Sequence, residues 1–297
     1  MAEIQGIAPP DTSPDKAIPL PLPSMPSPPP APTLSTLRAW IPVYLKRTDV
    51  TVEHLGRILS TPGGTDTFLL TICYTSLLSS KLLASVSLHQ LHKRIKYLTS
   101  AVSSLPADTT LVIETPAVRL LRLSQSLKAL SSLISDYRIF VRLWGLLGIY
   151  RWAKGLVAEP PADAVQRRIA WAQVAVNVAF QYLENAAYLA SKGVLGWDER
   201  RQTRAWLWSS RFWAAHVALD LYRLAYELRT AKQTGGDKVQ EEPVKAKWTR
   251  QLATNLAWAP LTLHWSRETG LLGDLGVGLL GTAAGLVDFR ERWKDTA

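Results

Sequence analysis

The sequence predicts an all-α, membrane-associated helical bundle, and three observations carry that prediction. Apolar residues recur at three- and four-residue steps from Leu34 onward, the period of helices with one buried face. No stretch alternates strictly in twos between hairpin turns, so a sheet has little support. Each break in the pattern joins proline or glycine to a change of periodicity, as helix ends do.

These breaks fall at Pro62-Gly63-Gly64, Leu105-Pro106-Ala107-Asp108, Glu159-Pro160-Pro161, Gly193 to Gly196, and Gly235-Gly236 through Pro243. Between them the spacing predicts helices near 35–60, 67–104, 112–156, 163–192, 198–232 and 245–293, some of them divided. Residues 1–33 stand apart. Pro19, Pro21 and Pro23 alternate with Leu20 and Leu22, a pattern without the donors a helix needs, so a disordered or polyproline-like tail is expected there. It has no basic-then-apolar order of a secretory signal. The expected organisation is the tail followed by one helical membrane domain over 34–293, with a linker at 233–243.

Composition narrows the class. The chain has 297 residues, 34 Lys and Arg against 24 Asp and Glu, a net charge of +10, and 47% hydrophobic residues. That excludes disorder along the whole length. A single cysteine, Cys73, excludes a disulfide framework and a zinc site built on several thiolates. The 12 tryptophans are many for this length, and indoles favour places with one apolar and one wet edge, membrane interfaces among them. The best candidates for membrane spans are 169–191 and 271–287. The first is broken only by Glu184 and the second only by Asp274, and each approaches the ~20 residues a span needs. The run 139–157 is almost as apolar but holds Arg142, Arg151 and Lys154, and 68–80 is uncharged but short.

The segment 81–105 is the most informative. Ala84, Leu88, Leu91, Ile95, Leu98, Val102 and Leu105 fall on one helical stripe, with His89, His92, Lys93, Arg94 and Lys96 on the polar side and no Asp or Glu from 81 to 107. Such a helix can lie in the interface plane, with Leu88, Leu91, Ile95, Leu98 and Val102 among acyl chains and Lys93, Arg94 and Lys96 at anionic headgroups. Periodicity equally permits a bundle helix with a solvated basic face.

Other motifs lead away from catalysis. Gly276-Val277-Gly278-Leu279-Leu280-Gly281 matches a dinucleotide-binding pattern, but it lies in a helical stretch with no room for a following βαβ unit. Gly278, Gly281 and Gly285 lie instead on one helical face that lets another helix approach closely, for packing or oligomerisation. His89 and His92 have no carboxylate or cysteine nearby to complete a metal site, and His54, His216 and His264 have no nucleophile motif beside them. No catalytic residue, metal or cofactor is expected. The cations are spread over many helices and interleaved with apolar runs, so nucleic acid is not an expected partner.

Four stretches carry a resemblance to a known family. They are Thr61-Pro-Gly-Gly-Thr-Asp-Thr-Phe-Leu-Leu70, running on to Tyr74; Ser135-Asp-Tyr-Arg-Ile-Phe-Val-Arg-Leu-Trp-Gly-Leu-Leu-Gly-Ile-Tyr150; Gln181-Tyr-Leu-Glu-Asn-Ala-Ala-Tyr-Leu189; and 271–293. In these the chain resembles the peroxin-11 family of peroxisomal membrane proteins, and more closely its fungal C-type or gamma-type branch. The resemblance implies a non-enzymatic protein of the peroxisomal membrane that promotes membrane elongation, proliferation and division through an amphipathic inserting helix. The segment with matching chemistry is 81–105. It also implies self-association or association with other peroxin-11 proteins and contact with the fission machinery. Alternatives it leaves open are a metabolite pore, with Glu184 and Arg142 facing a lumen, and a regulatory partner of the main peroxin-11 protein. Where many members carry a basic Gly-Arg-Asp-Lys element, this chain has Gly64-Thr65-Asp66-Thr67, so a role for charge there does not carry over.

Overall fold

Helices account for nearly all of the described chain, and no strand occurs among the described residues. The computed structural model describes residues 34–102, 116–233 and 242–296. The elements are α1 (Leu34–Leu59), α2 (Pro62–Val102), α3 (Pro116–Val141), a 3-10 turn at Arg142–Trp144, α4 (Gly145–Ala158), α5 (Ala164–Ser191), α6 (Glu199–Gln233), α7 (Glu242–Trp265) and α8 (Asp274–Asp295). The proline-rich tail and the break at 105–108 lie outside the described residues. So does most of the linker expected at 233–243, since α6 runs to Gln233 and α7 starts at Glu242.

The chain divides into two units, residues 1–50 and 51–297. In the first, the described residues belong to α1. Trp40 and Tyr44 sit one turn apart with ring centroids 6.1 Å from each other, and the Thr48 hydroxyl donates to the Tyr44 carbonyl at 2.8 Å.

In the second unit, α2 lies between α3 and α8, α7 between α8 and α6, and α5 between α6 and α4. The α2–α3 pair is antiparallel and built on a seven-residue repeat of small or polar residues. Asp66, Cys73, Ser80 and Ser87 on α2 meet Arg138, Ser131, Ser124 and Ala117 on α3. Ser80 and Ser124 share a hydroxyl hydrogen bond of 3.2 Å, Ser87 donates to the Ala117 carbonyl at 2.5 Å, and the Cys73 thiol to the Ser131 carbonyl at 3.3 Å. Small side chains in these layers let two backbones approach closely, while each hydroxyl finds a partner.

The opposite side of α2 meets glycine. A Cβ on Gly278 would come within 2.9 Å of the Leu78 backbone, and one on Gly281 within 2.3 Å of the Tyr74 ring. Gly285 sits over Thr71, whose hydroxyl donates to the Gly285 carbonyl at 3.1 Å. The glycine face is therefore turned to α2 of the same chain. The dinucleotide-like pattern from Gly276 to Gly281 lies wholly within α8.

A polar hub joins α5, α6 and α7. Asp220 accepts from Gln173 (3.1 Å), Asn255 (2.9 Å) and the Arg223 guanidinium (2.9 and 3.0 Å). Burial by itself pushes the Asp220 carboxyl upward. The Asn255 amide and the Arg223 charge outweigh that and hold it below the usual carboxylate range. His216, one turn away, takes a hydrogen bond from the Asn177 amide at 2.9 Å. Burial lowers its pKa, Asp220 pulls it up and Arg223 lowers it again, leaving it below the ordinary value.

Two features depart from the sequence reading. The expected 245–293 helix is cut at 266–273, where Gly270 has φ +65° and the His264 ring accepts from the Leu271 and Leu272 amides at 2.7 and 2.9 Å. A side-chain cap of this kind leaves no trace in hydrophobic periodicity. The segments expected as spans, 169–191 and 271–287, are not the ones that qualify. Among the described residues, α2 over Pro62–Tyr97 is the one helix long and apolar enough to cross a membrane. In α5 the apolar run is interrupted by Gln173, Gln181 and Glu184, all buried against neighbouring helices.

Replacing Gly281 by Ala drives a methyl into the Tyr74 ring and is expected to cost about 1–3 kcal/mol. Gly148→Ala, where a Cβ meets nothing within 4 Å, is expected to stabilise by about 0.5–1 kcal/mol. Chemical denaturation of the detergent-solubilised protein measures both. Asp220 and His216 both have folded pKa values below their unfolded ones, so both favour the folded state at neutral pH. That stability falls as pH drops below about 6.5 for His216 and below about 4 for Asp220. Melting temperature against pH should show two declines, and His216→Gln should remove the upper one.

Candidate functional site

Two regions of the second unit carry chemistry beyond packing. The first is the C-terminal half of α2. The helix runs from Pro62 to Val102 without interruption, so the basic segment continues the apolar one and is not a separate element. Leu88 is 51% exposed and Ile95 50%, while Leu91 is partly covered. Leu98 and Val102 lie on the helix, but their side chains are outside the described residues. Lys93, Arg94 and Lys96 are exposed, as are His89 and His92. The neighbouring start of α3 adds exposed Arg119 and Arg122. No carboxylate lies on α2 from Lys81 to its end or on α3 before Asp136.

Midway along α2, Lys81 and Lys128 both reach Asp274 at the start of α8, at 2.7 and 3.1 Å. Among the described ion pairs, Asp274 is the one acidic group from outside the α2–α3 pair that meets the hairpin's cations. Its pKa is lowered, first by the Lys81 hydrogen bond and then by that of Lys128.

The second region is a cavity of about 360 Å³ between α2 and α3 on one side and α5, α6 and α7 on the other. Four indoles line its aromatic side, Trp206, Trp213, Trp258 and Trp265, and the last three form a cluster. Trp213 stacks on Trp265 with centroids 5.4 Å apart and planes 9° from parallel, and Trp258 closes the cluster at 5.2 Å from Trp213. Tyr74 sits edge-on to Trp258 and Phe180 lies beside Trp213.

The polar side holds Arg138, Arg142 and Glu184, and both guanidiniums are engaged in forked ion pairs. Arg138 gives Nε and Nη2 to Asp66 at 2.7 and 3.1 Å, and Arg142 gives Nε and Nη2 to Glu184 at 3.1 and 3.0 Å. Arg142 and Glu184, the residues a pore would turn toward its lumen, are thus brought together with each other.

The 3-10 turn at Arg142–Trp144 follows from the same contacts. The Gln181 amide donates to the Arg142 carbonyl and the Asn185 amide to the Leu143 carbonyl, each at 2.9 Å. These α5 side chains take up carbonyls at the end of α3. Gly145 leaves room for them, because a Cβ there would lie 2.4 Å from the Gln181 side chain.

The isolated histidines have structural partners. His54 hydrogen-bonds the Trp293 carbonyl at 2.9 Å and packs on the Trp293 ring, while His216 and His264 are placed as described above. Sequence reasoning missed the aromatic cavity. Its indoles come from α6 and α7, far apart along the chain, and no spacing rule joins them.

With this geometry in place, comparison with known proteins is decisive. A family model described as peroxisomal biogenesis factor 11 (PEX11) matches residues 118–293. The chain belongs to the peroxisomal biogenesis factor 11 family. Members of this family are peroxisomal membrane proteins, with a role in peroxisome proliferation and division at that membrane; it is a family of biogenesis factors, not of enzymes. The match takes in the stretches at 135–150, 181–189 and 271–293, and starts beyond α2. An uncharacterised protein of Schizosaccharomyces pombe is 30% identical over 169 residues, covering 57% of this chain and 77% of the relative. No solved structure matches.

The Arg142–Glu184 fork gives a direct test of the cavity wall. Glu184 is buried, so Arg142→Met strands a carboxylate and should cost about 3–5 kcal/mol. Adding Glu184→Leu should recover most of that loss, as read by urea denaturation of single and double variants.

Proposed function

We propose that this chain elongates the peroxisomal membrane ahead of division by laying the basic end of the α2–α3 hairpin into the cytosolic leaflet. The observation that carries the reading is the joint exposure of Leu88 and Ile95 with Lys93, Arg94 and Lys96 on one helix end that holds no carboxylate. Each leucine-sized side chain moved among acyl chains gains about 0.8 kcal/mol per buried CH₂. Each cation near an anionic surface adds about 1 kcal/mol. Insertion into one leaflet only expands that leaflet, which is the mechanical input for curvature.

The partner in this reading is an anionic phospholipid surface. Leu91, Leu98 and Val102 extend the apolar stripe on the same helix, with Leu91 shared between lipid and the bundle. Association with other peroxin-11 proteins would use a surface other than Gly278, Gly281 and Gly285, which α2 covers.

The test replaces exposed residues only. Leu88→Glu with Ile95→Glu should abolish co-sedimentation with anionic vesicles and leave cells with few, unelongated peroxisomes, at an unchanged melting temperature. Lys93→Glu, Arg94→Glu and Lys96→Glu together should abolish the preference for anionic over neutral vesicles. Normal peroxisome number and shape with the double glutamate variant would overturn the assignment.

A further inference from the structure

We propose that the aromatic cavity is a binding site for a phosphocholine group, the zwitterionic headgroup chemistry of a choline phospholipid. Its wall is two-sided. Trp206, Trp213, Trp258 and Trp265 line one side, and a quaternary ammonium within about 6 Å of an indole face is held by the ring quadrupole. Across from them stand Arg138 and Arg142, with Ser135 beside them. Each fork to a carboxylate uses Nε and Nη2, which leaves the Nη1 donors for a phosphate oxygen, the acceptor that guanidinium geometry suits.

Charge decides the class of ligand. The two guanidiniums are balanced by Asp66 and Glu184, so the site is neutral as built. A plain anion brought there would be desolvated with no net opposite charge to meet it. A plain cation would find the indoles but no net opposite charge, and would leave the guanidinium Nη1 donors unused. A zwitterion satisfies both walls and adds no net charge. An alkyl chain would pair with none of the guanidinium donors or serine hydroxyls that line the cavity. The volume, about 360 Å³, lies at the small end of ligand sites and fits a headgroup but not a whole lipid. None of Leu88, Ile95, Lys93, Arg94 or Lys96 lines the cavity, so its occupancy is independent of leaflet insertion by α2.

The test uses the full chain in a phosphate-free maltoside detergent, with phosphocholine, inorganic phosphate and choline as separate probes. Phosphocholine should show saturable broadening of its ³¹P resonance, and inorganic phosphate should show none. Choline at equal concentration should compete only weakly. Ser210→Phe fills the cavity from α6 while keeping both ion-paired residue pairs, and should weaken binding at least tenfold at an unchanged melting temperature. Trp213→Phe, which keeps a ring in the stack, should weaken it several-fold and serves if the filled variant does not fold.

A second arm separates the sources. Protein re-extracted from phosphatidylcholine or phosphatidylglycerol vesicles is weighed by native mass spectrometry. Retention of phosphatidylcholine alone identifies a membrane lipid as ligand, and retention of neither, with phosphocholine still bound, identifies the free ester; both support the site. Equal broadening of inorganic phosphate, no broadening of phosphocholine, or full affinity in both variants would overturn the proposal.

Discussion

The arrangement of this chain depends on how closely α2 can be approached from two sides. Toward α3 it presents Cys73, Ser80 and Ser87 at seven-residue steps, each meeting a small residue across the pair. Toward α8 it meets Gly278, Gly281 and Gly285. Helices that pack through small residues gain from van der Waals contact and satisfied hydroxyls, and do not need to bury large apolar side chains to stay together. Leucines and aromatics are then free to face outward. Leu133, Val157 and Leu279 are all more than half exposed, while Ser76, Gln181, Glu184 and Asn255 are buried. In water that distribution would be costly. At a membrane it is the expected one.

The last layer of the α2–α3 repeat explains why the polar interior is stable and local. Where the smaller layers hold a hydroxyl or a thiol, the layer at Asp66 holds a carboxylate, and it receives Arg138 in a fork. One turn further the chain tightens into the 3-10 turn and Arg142 repeats the arrangement with Glu184 from α5. The two forks set the aromatic cavity between the α2–α3 pair and the α5–α7 group, next to a seam of indoles. A mutation in the repeat would therefore reach the cavity through the register of α3.

Much of this was legible in the sequence, and the unread parts share a physical cause. Helix limits were marked by Pro62, Pro160, Pro161 and the glycines after Ser191, because these residues act locally. The stripe from Leu88 to Ile95 was legible because a single helix carries it. The turn at 266–273 was not, since its cap comes from the His264 ring folding back on later amides. Nor was the Trp213–Trp265 stack, which exists only once α6 and α7 are side by side. Apolar composition alone also misjudged 169–191. A helix that buries Gln173, Gln181 and Glu184 against its neighbours reads much like one that faces lipid, because the polar residues are few and sit on one side.

Charge in the middle of α2 bears on how the hairpin meets the membrane. Over Pro62–Tyr97 the helix is long and apolar enough, by length and composition, to cross a membrane. Its 41 residues make a rod of about 60 Å at 1.5 Å per residue, twice the ~30 Å of hydrocarbon in a bilayer. Were it to stand upright, Lys81, near its midpoint, would carry Lys128 and Asp274 into the hydrocarbon, and all three are substantially exposed. Charge at that depth costs several kcal/mol unless it snorkels or thins the bilayer. Lying along the interface removes the conflict. In the reading proposed above, the cations of α2 and the Asp274 cluster would then stay at headgroup level, the exposed leucines would enter one leaflet, and the length of the helix would become the length of membrane it expands.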